Sequence, residues 1–495
     1  MSNVFIIFLD FFLYAVAMFL LGFYAMTKAK GNEEFILGGR SIGPYTSAIS
    51  AGASDMSSWL ILGLPGAVFA GGLVEGLWIS LGLIIGAYLN WHLVAAKLRE
   101  YSEKLNALTI PSFLQNRFNS KGTAIKTIAT IVILVFFTLY VASALKAGSL
   151  LFSFIFELAT LGGNYINADS AAFIGLVTTT FVVVSYTFLG GYLAICWTDL
   201  VQGLIMLAAL AFIVIFGYHA INSANIDIAT VKPDAFNIAT GWVTAASLMA
   251  WGLGYFGQPH ILARFLGIRS EKDVPLARKI SISWMVVCLV LSVSVGLIGI
   301  GYAEIKELAG VTGEGGNKER IFLVLTYTLF HPFVAGLILA AVLAALMSTA
   351  DSQLLVLSSS LTEDLSFFAK MEEKQKMLVS RIGIVAFALV AFVLANNDGS
   401  SILAMVGYAW GGFGAAFGPL IILAVCWKGI TQAGAIAGMV TGALSIVFFK
   451  NFVSVEGEYF YELLPSFFIA LAAIVVVSMF TTKPDAETTK TLGLN

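Results

Sequence analysis

The sequence predicts an all-α polytopic membrane protein built on two inverted five-helix repeats. Three observations carry that prediction. Over 495 residues the mean hydropathy is +0.91, with 59% hydrophobic and only 11% charged residues, where soluble globular chains carry roughly 25% charged. About thirteen apolar stretches are long enough to cross a bilayer. Two of them, the second and the seventh, are rich in glycine and small residues, with Pro65 and Pro259 towards their ends.

In chain order the stretches are 4–27, 44–70, 74–98, 124–157, 168–189, 191–219, 240–263, 276–303, 320–362, 376–396, 399–427, 430–450 and 460–481. The first lacks a basic leading segment and is too long for the apolar core of a signal peptide, so it reads as a retained span. With the N-terminus outside, 21 of the 27 Lys and Arg fall in inside segments, five outside, and Lys146 in neither. The positive-inside rule then puts the C-terminus in the cytoplasm. Under this topology the second and seventh spans run in opposite directions. Two inverted repeats follow, about 44–219 and about 240–427, each opening with a broken helix. No basic tract, low-complexity segment or appended soluble domain interrupts the chain, so 1–495 reads as one membrane domain. The net charge of −2 carries no nucleic-acid signature. Cys196, Cys288 and Cys426 are an odd set scattered through apolar, buried segments, which argues against a disulfide framework or a thiolate metal site.

The second span holds Ala51-Gly-Ala-Ser-Asp55-Met-Ser-Ser-Trp59. A carboxylate at bilayer depth costs on the order of 3 kcal/mol on insertion scales, so Asp55 points to an ion, a proton or a polar solute. Its small neighbours favour unwinding near 53–56, which frees backbone carbonyls, the oxygen ligands that hard cations take. Asp55 and Trp59 share a helical face. The plainer alternative is that Asp55 caps a kink and is satisfied locally.

In the ninth span, Ser348, Thr349 and Ser352 put three hydroxyls on one arc, with Ala345 one turn back and Asp351 adjacent. Such hydroxyls are often bonded only to the preceding turn. In the seventh span Trp251, Tyr255 and Pro259 recur every fourth residue. Pro259 has no N–H, so the Tyr255 carbonyl loses its helical donor and is open to a ligand. With Trp59 and Tyr140 the stripe makes an aromatic wall for a small solute, or else a packing stripe. Two further intramembrane charges need partners, Asp199 in the sixth span and Lys146 in the fourth; Lys146 is expected to pair with Asp351 or Asp199, or to stand in for part of an ion site.

These residues resemble the sodium/solute symporter family nearly end to end. The blocks that carry the resemblance are Ile36-Leu-Gly-Gly-Arg40-Ser, 50–57 around Asp55, 63–68, Trp197-Thr-Asp199, 251–265 (WGLGYFGQPHILARF), Met347-Ser348-Thr349 and 408–419. The resemblance implies a LeuT-type fold with one extra N-terminal and two extra C-terminal helices, and sodium-coupled uptake of L-proline across the bacterial inner membrane. It implies a sodium site from the carbonyls of Ala53, Met56 and Ala345 and the hydroxyls of Ser348 and Thr349. It further implies a substrate site involving Asp55, Ser57, Trp59, Tyr140, Trp251, Tyr255 and Pro259, with Arg40 functionally sensitive. In members that use a second sodium, an acid at the Asp199 position and hydroxyls near Ser352 complete that site. This chain departs at Ser58, where the family pattern has glycine, and at Lys146 and Asp351. A Lys146–Asp351 pair would block a second sodium.

The expected partners are proline, sodium and the lipid bilayer. Carriage of another small organic solute, coupled to sodium or protons, is the alternative. No catalytic constellation is visible, since the four histidines are scattered and no nucleophile–base motif stands out, so no enzyme activity is expected.

Overall fold

The computed structural model describes residues 3–27, 32–160, 168–187, 191–308, 310–312, 316–369, 371–397 and 399–482. Its principal helices are α1 (Asn3–Met26), α2 (Pro44–Ser58), α3 (Leu64–Gly71), α4 (Leu73–Asn90), α5 (Ala124–Thr160), α6 (Ala168–Thr187), α7 (Tyr192–Ser223) and α8 (Trp242–Met249). They continue as α9 (Pro259–Gly267), α10 (Val274–Tyr302), α11 (Ile321–Leu329), α12 (Pro332–Ser359), α13 (Glu373–Asn397), α14 (Ile402–Cys426), α15 (Gln432–Phe452) and α16 (Leu463–Met479). Among the described residues nine helical segments are long and apolar enough to cross a membrane singly. Every apolar stretch read from the sequence falls on a helix or on two successive ones. Four stretches are divided or distorted, and the divisions matter.

The second stretch departs from helical geometry at Ser57 (φ 23°, ψ −167°), one to four residues later than the sequence suggested. A π turn over Trp59–Gly63 follows before α3 resumes with Pro65 in its first turn. The seventh stretch is α8, a 3₁₀ segment (Ala250–Gly257), an extended Gln258, then α9 with Pro259 at its first position. Proline's missing N–H is harmless there and its fixed φ starts the new helix. The third stretch bulges into a π turn over Trp91–Ala95. The ninth stretch, 320–362, is two helices rather than one: α11 ends at Leu329, and Phe330 and His331 are extended before α12. Pro332 disfavours helical backbone in the residue before it. Cys426 also differs from expectation, being exposed at the end of α14, while Cys196 and Cys288 are buried.

Broken segments inside an apolar core must pack tightly to keep their backbone polar groups away from lipid. The 3₁₀ segment runs between α4 and α14 with backbone nearly touching backbone. A Cβ on Gly86 would sit 2.1 Å from Gly252 O, and one on Gly252 would sit 2.0 Å from Gly82 O. Small residues that permit such approach are a standard device of membrane helix packing. The Gly86→Val variant is therefore expected to overpack this seam by roughly 1–3 kcal/mol, seen as lower thermal stability of the solubilised protein; an unchanged melting profile would contradict this packing. The broken helix α2 packs against α7, α10 and α12, and its Ala53, one turn before the break at Ser57, meets the hydroxyl arc of α12.

Candidate functional site

The hydroxyl arc of α12 meets the broken segment directly. Ser348 Oγ donates to Ala53 O at 2.9 Å and shares that proton with Ala345 O at 3.1 Å; Thr349 Oγ1 donates to Ala345 O at 3.2 Å. Ala53, Ala345, Ser348 and Thr349 are all fully buried. Four of the five residues expected at a sodium site thus form one oxygen cluster. Met56, the fifth, immediately precedes the break at Ser57, and its carbonyl accepts the Trp59 N–H. The cluster's oxygens are backbone carbonyls and side-chain hydroxyls, neutral donors of the kind hard cations accept.

Adjacent to this cluster, Tyr255 Oη donates a hydrogen bond to Asp55 Oδ2, while the buried Asp55 Oδ1 has no hydrogen-bond partner. Trp59 Nε1 donates back to Asp55 O at 3.1 Å, and Ser57 Oγ accepts the Trp59 N–H at 3.3 Å. The Trp59 and Trp251 rings lie 6.2 Å apart, and Trp410 stands edge-on to Tyr255 at 5.0 Å. A small cavity touches Gly52, Asp55, Met56, Trp91, Tyr255 and Met285. Asp55, Ser57, Trp59, Trp251 and Tyr255 therefore come together. Tyr140 joins them, its buried hydroxyl facing Asp55, Ser57 and Tyr255 and its ring edge-on to His260 at 6.1 Å, while Pro259 starts α9. The Tyr255 carbonyl, expected to be open, instead accepts Asn90 Nδ2 at 2.9 Å.

The buried charges pair differently from expectation. Asp199 Oδ2 accepts from Arg264 Nη2 at 2.9 Å and from Ser50 Oγ at 2.6 Å. Arg264 also donates to Ser50 Oγ and to Ser352 Oγ, and Ser352 donates to Ser348 O at 2.8 Å. Asp351 is buried beside this group, and neither carboxylate oxygen meets a donor from another residue. Lys146 joins neither acid: its Nζ donates to Ser400 O at 2.5 Å, near the start of α14. A long flexible lysine reaches the carbonyls at a helix end, while a forked guanidinium suits a buried carboxylate.

The two ends of the bundle are closed by different means. At one end Arg40 donates to Ser102 Oγ, Leu266 O and Ala107 O at 2.8–2.9 Å, and Arg99 Nε donates to Ile268 O at 2.6 Å. A short parallel bridge joins Ile42 and Ile268 there. At the other end Glu319 accepts from the Ile402 and Leu403 N–H groups at 3.0 and 3.1 Å, capping α14 from outside its own chain segment. Replacing a helix cap with alanine costs roughly 0.5–2 kcal/mol. Glu319→Ala is expected to lose about that much in detergent unfolding, and no loss would contradict the cap.

Arg264 is the principal site residue that sequence reading left without a role. A charge five residues beyond Pro259 in an apolar half-helix was the available signal. Gln258 has no signal in the sequence reading; its Nε2 joins Gly254 O of the 3₁₀ segment to Trp410 O of α14 at 3.1 Å each. Only the three-dimensional course of the chain reveals that link.

The model of the sodium:solute symporter family matches residues 35–442. Sodium/proline symporters from Staphylococcus aureus strains JH9 and COL are each 44% identical over 490 residues, covering 96% of this chain and 92% of theirs. Among solved structures, a substrate-bound outward-open Na+-coupled sialic acid symporter superposes with a TM-score of 0.76 at 18% identity, over 97% of this chain and 99% of that one. The nucleobase-cation-symport-1 family transporter Mhp1, in a closed conformation, gives a TM-score of 0.56 at 14% identity over 93% and 98%. The shared architecture is the LeuT-type fold, and this multi-pass membrane protein belongs to the sodium:solute symporter family.

Proposed function

We propose that this protein carries L-proline into the cell together with sodium by alternating access, with its N-terminus outside and its C-terminus in the cytoplasm. The observation that carries the ion half is the Ser348 hydroxyl bridging Ala53 O on the broken segment and Ala345 O on α12. The solute half is supported by the near full-length likeness to sodium/proline symporters. A serine hydroxyl offers its proton to a carbonyl or its lone pairs to a cation. On sodium entry Ser348 and Thr349 turn their oxygens to the ion, and the Ala53, Met56 and Ala345 carbonyls complete the shell. The ion then replaces the proton as the tie between α2 and α12.

Proline fits beside it. Asp55 Oδ1 is the unfilled acceptor for its secondary ammonium, the Trp59–Trp251 wall takes the ring, and the N-terminus of α9 receives the carboxylate. Arg264 fills the region near Asp199, Asp351 and Ser352 as a resident cation, which supports one sodium per turnover. A sodium ion moving down 100 mV releases about 2.3 kcal/mol, roughly fifty-fold in accumulation. The repeats 44–219 and 240–427 move against each other. The Arg40 and Arg99 ties, on the side assigned to the cytoplasm, break to open it. Proline uptake is expected to rise with sodium along a curve with a Hill coefficient of one; a coefficient near two would overturn the resident-cation reading.

A further inference from the structure

The outer surface shared by α4 and α10 ends in an arginine that no carboxylate meets. On α4 and the π turn that follows it, Leu81, Ile85, Leu89 and Leu93 recur every fourth residue and are all exposed. Val287 and Val290 are exposed on α10, which packs alongside. In a membrane protein such an apolar face meets acyl chains. Where this face reaches the end of the bundle that carries the Arg40 and Arg99 ties stand Tyr88, His92 and Arg278. The Arg278 guanidinium lies 5.2 Å over the Tyr88 ring, and the His92 ring stacks on the same tyrosine at 5.9 Å. Arg278 Nη1 donates to His92 Nδ1 at 2.6 Å. Neighbouring acids are taken: Asp273 by Arg269, Glu100 by Lys104 and Glu103 by Arg99, while Glu271 lies near Lys104. Arg278 thus makes no ion pair among the described residues.

A guanidinium only donates, so His92 accepts at Nδ1 and carries its ring proton on Nε2. The imidazole orients Arg278 without neutralising it, and the exposed ring adds a donor of its own. Lys279, next in the chain, is exposed and adds a second positive charge. A planar guanidinium matches two oxygens of a phosphodiester through parallel bonds. Basic sites between membrane helices on the cytoplasmic side take acidic headgroups in this way. We propose that this end of the α4–α10 face is a binding site for an acidic phospholipid in the leaflet assigned to the cytoplasm. Arg278 holds the phosphate, His92 and Lys279 add donors, and the acyl chains lie along the Leu81–Leu93 stripe. The stripe selects a lipid over free phosphate, which gains nothing from apolar contact.

Native mass spectrometry of the solubilised protein tests this, with phosphatidylglycerol and phosphatidylcholine of the same acyl chains as the two probes. One phosphatidylglycerol is expected to bind roughly tenfold or more tighter than phosphatidylcholine, the factor that one hydrogen bond between charged partners supplies. Arg278→Gln removes that preference. His92→Phe, which keeps a ring against Tyr88, weakens it and serves as the test where Arg278→Gln does not fold. Lys428→Gln makes the same charge change at an exposed position of the same end, beside the Lys97–Cys426 contact, and leaves the preference intact. Inorganic phosphate and glycerol 3-phosphate fail to compete. Equal affinity for the two lipids overturns the proposal, as does a preference that survives both Arg278→Gln and His92→Phe or falls equally in Lys428→Gln. Displacement by inorganic phosphate would also overturn it, by assigning the site to a soluble anion.

Discussion

Asp199→Asn is expected to be the most damaging single substitution for stability in this protein. It leaves the Arg264 guanidinium, 1% exposed, without the carboxylate it contacts at 2.9 Å. Breaking a buried ion pair by removing one partner costs roughly 3–5 kcal/mol, because the remaining charge stays desolvated. Ser50 and Ser352 still accept from Arg264, but neutral hydroxyls do not replace a charge. The nearby Asp351 carboxylate offers partial relief, so Asp199→Asn/Asp351→Asn is expected to be worse than either single variant. Removing both members of the pair, in Asp199→Asn/Arg264→Gln, is expected to recover much of the loss. Thermal unfolding of the solubilised wild type, Asp199→Asn, Arg264→Gln and their double variant, as a double-mutant cycle, measures the coupling. Equal and additive losses would mean that the pair is not energetically linked.

Ser348→Ala has the largest expected effect on transport. The side chain bridges Ala53 O and Ala345 O and is fully buried. A hydrogen bond or ligand contact to a charged partner is worth about 1.5–3 kcal/mol, which corresponds to roughly 10- to 150-fold in affinity. Half-saturation by sodium is expected to rise by that factor, and uptake at low sodium to vanish. Stability changes little by comparison, since alanine fills the site without stranding a charge. Thr349→Ser, which keeps the oxygen, is expected to stay near wild type. An unchanged sodium dependence in Ser348→Ala would move the ion elsewhere.

Much of this arrangement was legible in one sequence because lipid narrows the choices. Charges such as Asp55 and Asp199 stand out against an apolar background, and Gly, Ser and Pro mark where helices break. The position of each break was less legible. The break falls at Ser57, with φ 23°, and small residues from 51 to 58 left the exact residue open. The pairing of Asp199 was misjudged for a related reason. Arg264 lies at the end of an apolar stretch and counted among the flanking basic residues, whereas α9 carries it into the core. Lys146 looked buried by its place in a long apolar run, yet its reach extends to Ser400 at a helix end. The fate of the Tyr255 carbonyl depended on Asn90, 165 residues away, and long-range partners of that kind leave no local signature.

Uptake of labelled proline into proteoliposomes under imposed sodium, proton or no cation gradient tests the central claim most directly. The account predicts concentrative uptake with an inward sodium gradient alone, lost at low sodium in Ser348→Ala and lost in Asp55→Asn. Uptake driven equally by a proton gradient without sodium, or undiminished in Ser348→Ala, would contradict it.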